Sequence, residues 1–410
     1  MSQSAPQTSN HTHASELLDE KYRKKRVGHR VAKQTRERLL HAILTSPGER
    51  VIALIGPTGV GKTLIVANVQ ELLVQHFATE MEKDPGFLPF ISVTTVTGLS
   101  GSYSWRDGFA RLLTAANEPL IGLKKCVPEL RLDELARIAP ALQLDGQNIT
   151  TTKGLVKDEF RRSLESLVTN RRVRVLFLDE GSSLIDETVN RHPLRQFNIL
   201  KSLAVALGIV IVLVGAYDLA GLHDGNGQLL RRSLCIHMPR YRPEVKRLQS
   251  AVDGLAWAPQ GKCDSADDLI DFMNAATTLA AGAPVQFDSD VLADAPYLIL
   301  KSVGCVGNFR DWVDRASAYA LTYNGGRVTK AIFEQEAMPN SVALKLTQEA
   351  ELGEALVADC SDETLAQHSG VSAIHAPVAL VDVPAVPKKR RKPAVGKRGA
   401  SRDPVGMAHA

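Results

Sequence analysis

Along the first 240 residues, apolar runs of strand length alternate with segments of helical period. That pattern predicts a parallel sheet covered by helices. The runs are Val51–Ile55, Phe90–Val96, the stretch Arg171–Leu178, Gly208–Val214 and Leu234–Met238. Most read as near-continuous Val, Ile and Leu, as strands buried on both faces do. Helical periods fall after Thr63, over Trp105–Ala115, over residues 152–170 and over Leu194–Leu207, while 116–150 reads as irregular with short helix. Residues 15–45 read as one basic helix, capped by Ser15 and closed by Leu39, Leu40, Ile43 and Leu44. From 241 to 337 the periods are helical, with no further strand that carries a catalytic signature, and Thr329 reads as the cap of a last helix. Residues 340–375 are Ala-rich with marginal helix potential. From about 376 the chain is rich in Ala, Pro and Val and then basic, a composition that cannot bury a core. There is no internal repeat.

The first strand runs into Gly56-Pro57-Thr58-Gly59-Val60-Gly61-Lys62-Thr63, a complete G-x-x-x-x-G-K-[ST] phosphate-binding loop in strand–loop–helix order. Gly56, Gly59 and Gly61 let backbone N–H groups turn onto phosphate oxygens, and the helix that follows, through Leu64, adds its positive dipole end. Lys62 is expected on the β- and γ-phosphates, and Thr63 on Mg2+. The third strand ends in Asp179-Glu180. Such pairs are common alone, but behind a phosphate loop Asp179 is expected to hold Mg2+ through water and Glu180 to polarise the attacking water. Two further positions stay open. Tyr217 and Asp218 follow the fourth strand and either face the γ-phosphate or simply begin a loop. Arg231 and Arg232, about fifty residues beyond the acidic pair, either reach a neighbouring subunit's phosphate or form an ordinary surface pair. Arg310 is expected in the first turn of its helix, where the dipole disfavours a cation, which points to a ligand role.

The chain has 410 residues, 44% of them apolar, enough for two or three domains, and a net charge of only +4. The charge is uneven: Lys21–Arg38 and Lys388–Arg402 are strongly basic. The first of these reads as a solvated helix face, a phosphate-contacting arm or a rim of the nucleotide pocket. Cys126, Cys235, Cys263, Cys305 and Cys360 are scattered without metal or disulfide spacing. The longest apolar run, Ile209–Gly215, is far short of a membrane span, and the N-terminus lacks a signal-peptide pattern. A cytoplasmic protein with no membrane partner is expected.

Taken in order, GPTGVGKT, LFLDE, VGAYDL, QLLRR and GNFRDW span about 270 residues. With the basic N-terminal helix, SYSWRDGFARLL and VGNFRDWVDRASAYAL, they resemble AAA+ ATPases, specifically transposition regulators of the TnsC/TniB type, more distantly MuB-like. The resemblance covers roughly residues 20–337. It implies an α/β P-loop NTPase (AAA+/ASCE) core, three-layered with a parallel sheet, then a small α-helical lid and a disordered basic tail. The corresponding organisation is 1–14 disordered, 15–45 basic helix, 46–240 nucleotide-binding domain, 241–337 lid and 338–410 tail. The resemblance makes Lys62 and Thr63 phosphate and Mg2+ contacts, Asp179 and Glu180 the metal and water residues, Arg231 or Arg232 a finger and Arg310 the lid arginine. It implies ATP hydrolysis, homo-oligomers (ring or filament) on duplex DNA in the bacterial cytosol, and recruitment of a transposase, with a target-selection protein as a further partner. Ala216 stands where such proteins carry a polar Thr or Asn, which puts sensing on Tyr217 or Asp218 or makes hydrolysis slow. Two alternatives remain: another AAA+ DNA machine of the initiator or helicase-loader type, and a nucleotide-gated protein-binding scaffold.

Overall fold

The computed structural model describes residues 18, 22, 25–46, 48–97, 103–117, 152–185, 193–224, 231–243 and 267–369. Expectations for 1–14, 118–150, Gln228–Leu230 and 370–410 lie outside them. In chain order the elements of the α/β part are α1 (Arg30–Thr45), β1 (Arg50–Ile55), α2 (Lys62–His76), α3 (Ala78–Lys83), β2 (Phe90–Thr94), α4 (Trp105–Ala115) and α5 (Thr152–Asn170). They continue with β3 (Val175–Asp179), α6 (Ser182–Ile185), α7 (Pro193–Leu207), β4 (Val210–Gly215), a 3-10 helix (Tyr217–Asp224) and β5 (Ser233–His237).

The five strands form one parallel sheet in the order β2-β3-β4-β1-β5. Alternate residues feed two cores, as period-2 side chains require. Ile52, Leu54, Phe177 and Val212 face α1 and α2 through Leu39, Ile65, Val69 and Leu73. Val51, Ala53, Leu176 and Ile211 face α4, α5 and α7 through Phe109, Leu164 and Phe197. The result is the three-layer P-loop AAA+ fold. The register pairs Ile55 with Gly215 and His237, and Thr94 with Asp179. The phosphate loop, the acidic pair and the turn after β4 therefore lie along one edge of the sheet, the carboxyl edge where open α/β sheets place ligands.

After β5 come α8 (Asp268–Gly282), β6 (Gln286–Phe287), α9 (Ala295–Ser302), α10 (Val306–Tyr323), β7 (Arg327–Val328), α11 (Lys330–Gln335), α12 (Asn340–Val357) and α13 (Asp362–Ser369). Phe272, Phe309, Trp312 and Phe333 centre this helical part, with Trp312 and Phe333 stacked at 4.1 Å. Thr329 caps α11, accepting from Ile332 N at 3.4 Å. Residues up to 358 form one compact unit, and 359–410 form a second, of which α13 is described.

Three expectations need correction. Residues 25–29 are not helical, and α1 starts at Arg30 with His29 as its cap, so 15–45 is not one helix. The part expected as an α-helical lid also holds a two-residue parallel ladder, β6 with β7. A tail does not begin at 338: α12 is an 18-residue helix docked on the 3-10 helix by small residues. Gly353 of α12 lies against the Tyr217 ring so closely that a Cβ would overlap it. Arg240 and Arg242 also grip Glu354 of α12, at 2.9 and 2.8 Å. Among the described residues no helix is long and apolar enough to cross a membrane.

Candidate nucleotide site

The loop after β1 takes its shape from three glycines. Gly59 and Gly61 have φ of 80° and 109°, values that cost other residues strain. A Cβ on Gly56 would strike the carbonyl of Met238, which follows β5 and donates its N–H to Ile55 O at 2.8 Å. Gly61 leads into α2 with no side-chain cap, so the helix start presents N–H groups to a ligand. Pro57 and Val60 are buried, whereas Thr58, Thr63 and Leu64 are exposed.

Lys62 Nζ donates to Gly56 O at 2.8 Å and Pro57 O at 2.9 Å, which places the ammonium under the loop. Burial lowers its pKa. Opposing it are Cys305 and the carboxylates of Glu180, Asp179 and Asp218, so all three acids bear on the lysine. Asp179 Oδ1 accepts from Glu180 N at 2.9 Å. Glu180 is exposed and sits at φ 55°, an uncommon left-handed conformation for a non-glycine residue. Beneath it the buried Thr95 donates its hydroxyl toward the carbonyls of Asp179 (2.9 Å) and Glu180. Thr95 N also donates to Asp179 O, at 2.8 Å. Thr95 thus pins the strand end that carries both acids, and no sequence pattern marked it.

These residues suit Mg2+. Among the described residues no cluster of three His, Cys, Asp or Glu could hold a metal unaided. Mg2+ is characteristically held by one or two protein oxygens plus substrate phosphates and water, and Thr63 and Asp179 are of that kind. When bound, the ion would neutralise phosphate charge.

A cavity of about 490 Å3 adjoins the loop, a size ordinary for small-ligand sites. One wall is Val60, Gly61, Leu64 and Ile65, and another is Val306, Gly307 and Arg310 of α10 with Leu279 of α8. The third is the N-terminal segment, through Arg26, Val27, His29, Ala32, Lys33 and Arg36. Sequence reasoning allowed a pocket-rim role for this basic stretch but did not identify Val27, Ala32, Leu279 or Met238 as apolar lining. The start of α10 rests on the loop itself: Asn308 N donates to Gly59 O at 3.2 Å, and a Cβ on either Gly59 or Gly307 would collide across the contact.

Arg310 lines this cavity, but it is the fifth residue of α10 and so lies in the second turn, not the first. The expectation based on dipole repulsion in the first turn therefore falls. Its guanidinium donates to the carbonyls of Lys25 and Tyr22, lies over the Tyr22 ring and sits 3.7 Å from Asp314. Tyr217 does not face the loop. It belongs to the core on the opposite sheet face from α2, its hydroxyl 3.0 Å from His237 Nε2. Asp218 is exposed at the carboxyl edge and accepts from Leu219 N at 2.9 Å. Arg231 and Arg232 are exposed at the start of β5, the end of the sheet away from the loop, and Arg232 lies 3.4 Å from Glu49. Neither can reach the phosphate loop of its own chain from there.

His29 couples cavity and lid. Its Nδ1 lies 2.8 Å from Tyr241 Oη, which donates to the carboxylate of Asp271 in α8. Burial, helped by the Arg30 charge, lowers the His29 pKa to about 4. An unfolded chain takes up this proton near pH 6.5, the folded one only near 4, so stability is lost as pH falls through that window. The loss should reach about 3 kcal/mol by pH 4. Denaturant midpoints of wild type and His29→Asn between pH 7 and 4 check this. The variant, which keeps a capping side chain, should flatten the profile, leaving the contribution of His237, also lowered by burial. An unchanged slope would exclude His29 as the source.

The family model described as an AAA domain matches residues 45–222. No curated protein matches the chain. Solved structures similar to it include Drosophila ORC bound to DNA, at 15% identity and TM-score 0.44, covering 90% of this chain and 86% of that one. Aeropyrum pernix ORC2 in ADPNP–ADP complexes follows at 14% and 0.42, covering 85% and 73%. Cdc6p from Pyrobaculum aerophilum stands at 15% and 0.42, covering 87% and 88%. With its phosphate loop and acidic strand end on one sheet edge, the segment 45–222 that matches the AAA-domain model has a P-loop fold.

Proposed function

We propose that this protein is an ATPase that binds ATP and Mg2+ at the site above, oligomerises on duplex DNA while triphosphate is bound, and disassembles after hydrolysis. Lys62, Thr63 and the loop backbone from Gly56 to Leu64 hold the phosphates, Asp179 shares the metal with Thr63, and Glu180 orients and polarises water. Arg231 or Arg232 completes the site of a neighbouring subunit, since each lies at the sheet end remote from its own loop. Arg310 and Asp218 complete the nucleotide's surroundings, while Tyr217 supports the turn after β4 from the far core.

The observation that carries the reading is the third wall of the cavity. Arg26, Lys33 and Arg36, all from the basic N-terminal segment, line the nucleotide pocket. Nucleotide state and the placement of those charges are therefore linked. The resemblance to transposition regulators supports a specific use: recruitment of a transposase, and with it a target-selection protein, to the DNA that the oligomer marks, in the bacterial cytosol.

Anisotropy of a labelled duplex, measured with ATP, ADP or a slowly hydrolysed analogue, tests the DNA part. Binding should be tight only with triphosphate, indifferent to base sequence and steeply weakened by salt. Hydrolysis with no DNA binding in any nucleotide state would leave a nucleotide-gated protein scaffold as the better reading. Strand transfer by the cognate transposase onto DNA coated with the ATP-bound protein tests the transposase part. Equal transfer onto ADP-treated DNA would contradict it.

A further inference from the structure

A second cleft, about 500 Å3, lies beside α1 and away from the nucleotide cavity. Its walls include Arg30, Gln34 and Arg38 of α1, facing Arg240 and Arg242 beyond β5, and the carboxylate of Asp268 also lines it. The α1 residues fall at i, i+4 and i+8, a straight row about 12 Å long on one helix face. His29, Ala32, Lys33 and Arg36 lie on the other side of the helix and line the nucleotide cavity. One helix is thus the common wall of two cavities.

The cations of this cleft differ in how far they are neutralised. Arg30 pairs with Asp268, and its Nε, buried with no hydrogen-bond partner, lies 3.9 Å from the carboxylate of Asp271. Arg240 and Arg242 share the carboxylate of Glu354, and Arg240 also lies 3.9 Å from the exposed Glu351. Arg38 is exposed and has no ion pair among the described residues, and its charge bears on Cys235 and His237 at the end of β5. Guanidinium forks and a glutamine amide recognise phosphate oxygens without reading bases.

We infer that this cleft binds the sugar–phosphate backbone of duplex DNA, and that α1 couples it to the nucleotide on its other face. The inference rests on the DNA-binding reading above and adds where the contact lies and how nucleotide reaches it. Triphosphate drawn onto the Lys33 and Arg36 face sets the position of α1, and with it the spacing of Arg30, Gln34 and Arg38 from Arg240 and Arg242. DNA bound in the cleft should in turn raise nucleotide affinity, because such coupling is reciprocal.

The test is duplex anisotropy over a salt series, on the full chain with a slowly hydrolysed ATP analogue, for wild type, Arg38→Ala and Arg38→Lys. Arg38→Ala should lower the slope of log affinity against log salt by about 1 and weaken binding several-fold on every sequence. Arg38→Lys should restore the slope, and matching melting midpoints would show that all three chains are folded. Unchanged affinity and slope in Arg38→Ala, with a wild type that binds, overturns the cleft and leaves the DNA reading standing. A wild type that binds no DNA in any nucleotide state overturns both.

Discussion

Replacing Glu180 with Gln is expected to cut ATP hydrolysis about 10²- to 10⁴-fold, a barrier increase of about 3–5 kcal/mol, and to leave ATP binding nearly intact. The carboxylate is exposed at the strand end, where water can reach it, while its backbone is held from below by Thr95. Gln preserves size and backbone position and removes only the proton-accepting charge. A second substitution separates chemistry from structure. Glu180 sits at φ 55°, which glycine adopts without strain. Glu180→Gly should therefore be as inactive as the Gln variant and yet as stable as wild type or more so. A Gln variant that hydrolyses ATP at the wild-type rate, in single-turnover assays, would remove Glu180 from the chemistry.

Lys62→Ala should weaken nucleotide binding about 10- to 100-fold, the scale of one charge-assisted contact in a partly dry site. In the structure the ammonium is satisfied by the Gly56 and Pro57 carbonyls, and burial disfavours its charge against the pull of Glu180, Asp179 and Asp218. An arriving phosphate restores the favourable charge balance, so the lysine contributes more to the bound state than to the free one. The melting midpoint without nucleotide should barely move, and the stabilisation that saturating ATP confers on wild type should shrink. Calorimetric titration and melting with and without ATP check both halves. Unchanged ATP affinity would place the phosphates elsewhere.

Much of this architecture was legible in the sequence, and the misses have physical causes. The strands were visible because a parallel sheet covered on both faces needs uninterrupted apolar runs, and the helices Trp105–Ala115 and 152–170 appear as expected. The helix α12 was not, because its buried face is Ala343, Ala350 and Gly353, small residues that pack closely and carry little hydrophobic signal. The start of α1 was hidden in a basic run whose cap is a histidine accepting from Ala32 N, not one of the usual Ser, Thr, Asp or Asn caps. The role of Tyr217 stayed open in the sequence because a position just beyond a strand does not reveal which sheet face its ring will join. For the site, the motif located the phosphate loop and the acids. The wall made by Val27, Ala32 and Leu279 depends on segments about 250 residues apart meeting in space, which no local pattern encodes.

The central claim is that triphosphate at this site drives assembly on DNA, and sizing the Glu180→Gln protein on a defined duplex tests it most directly. With ATP, discrete multimers should form on the DNA and persist, while ADP should leave free monomers or small species, and wild type with ATP should form the same assemblies and lose them as hydrolysis proceeds. Identical species with ATP and ADP, on a duplex the protein does bind, would contradict the switch. No assembly on DNA in either state would contradict the DNA-binding account as a whole.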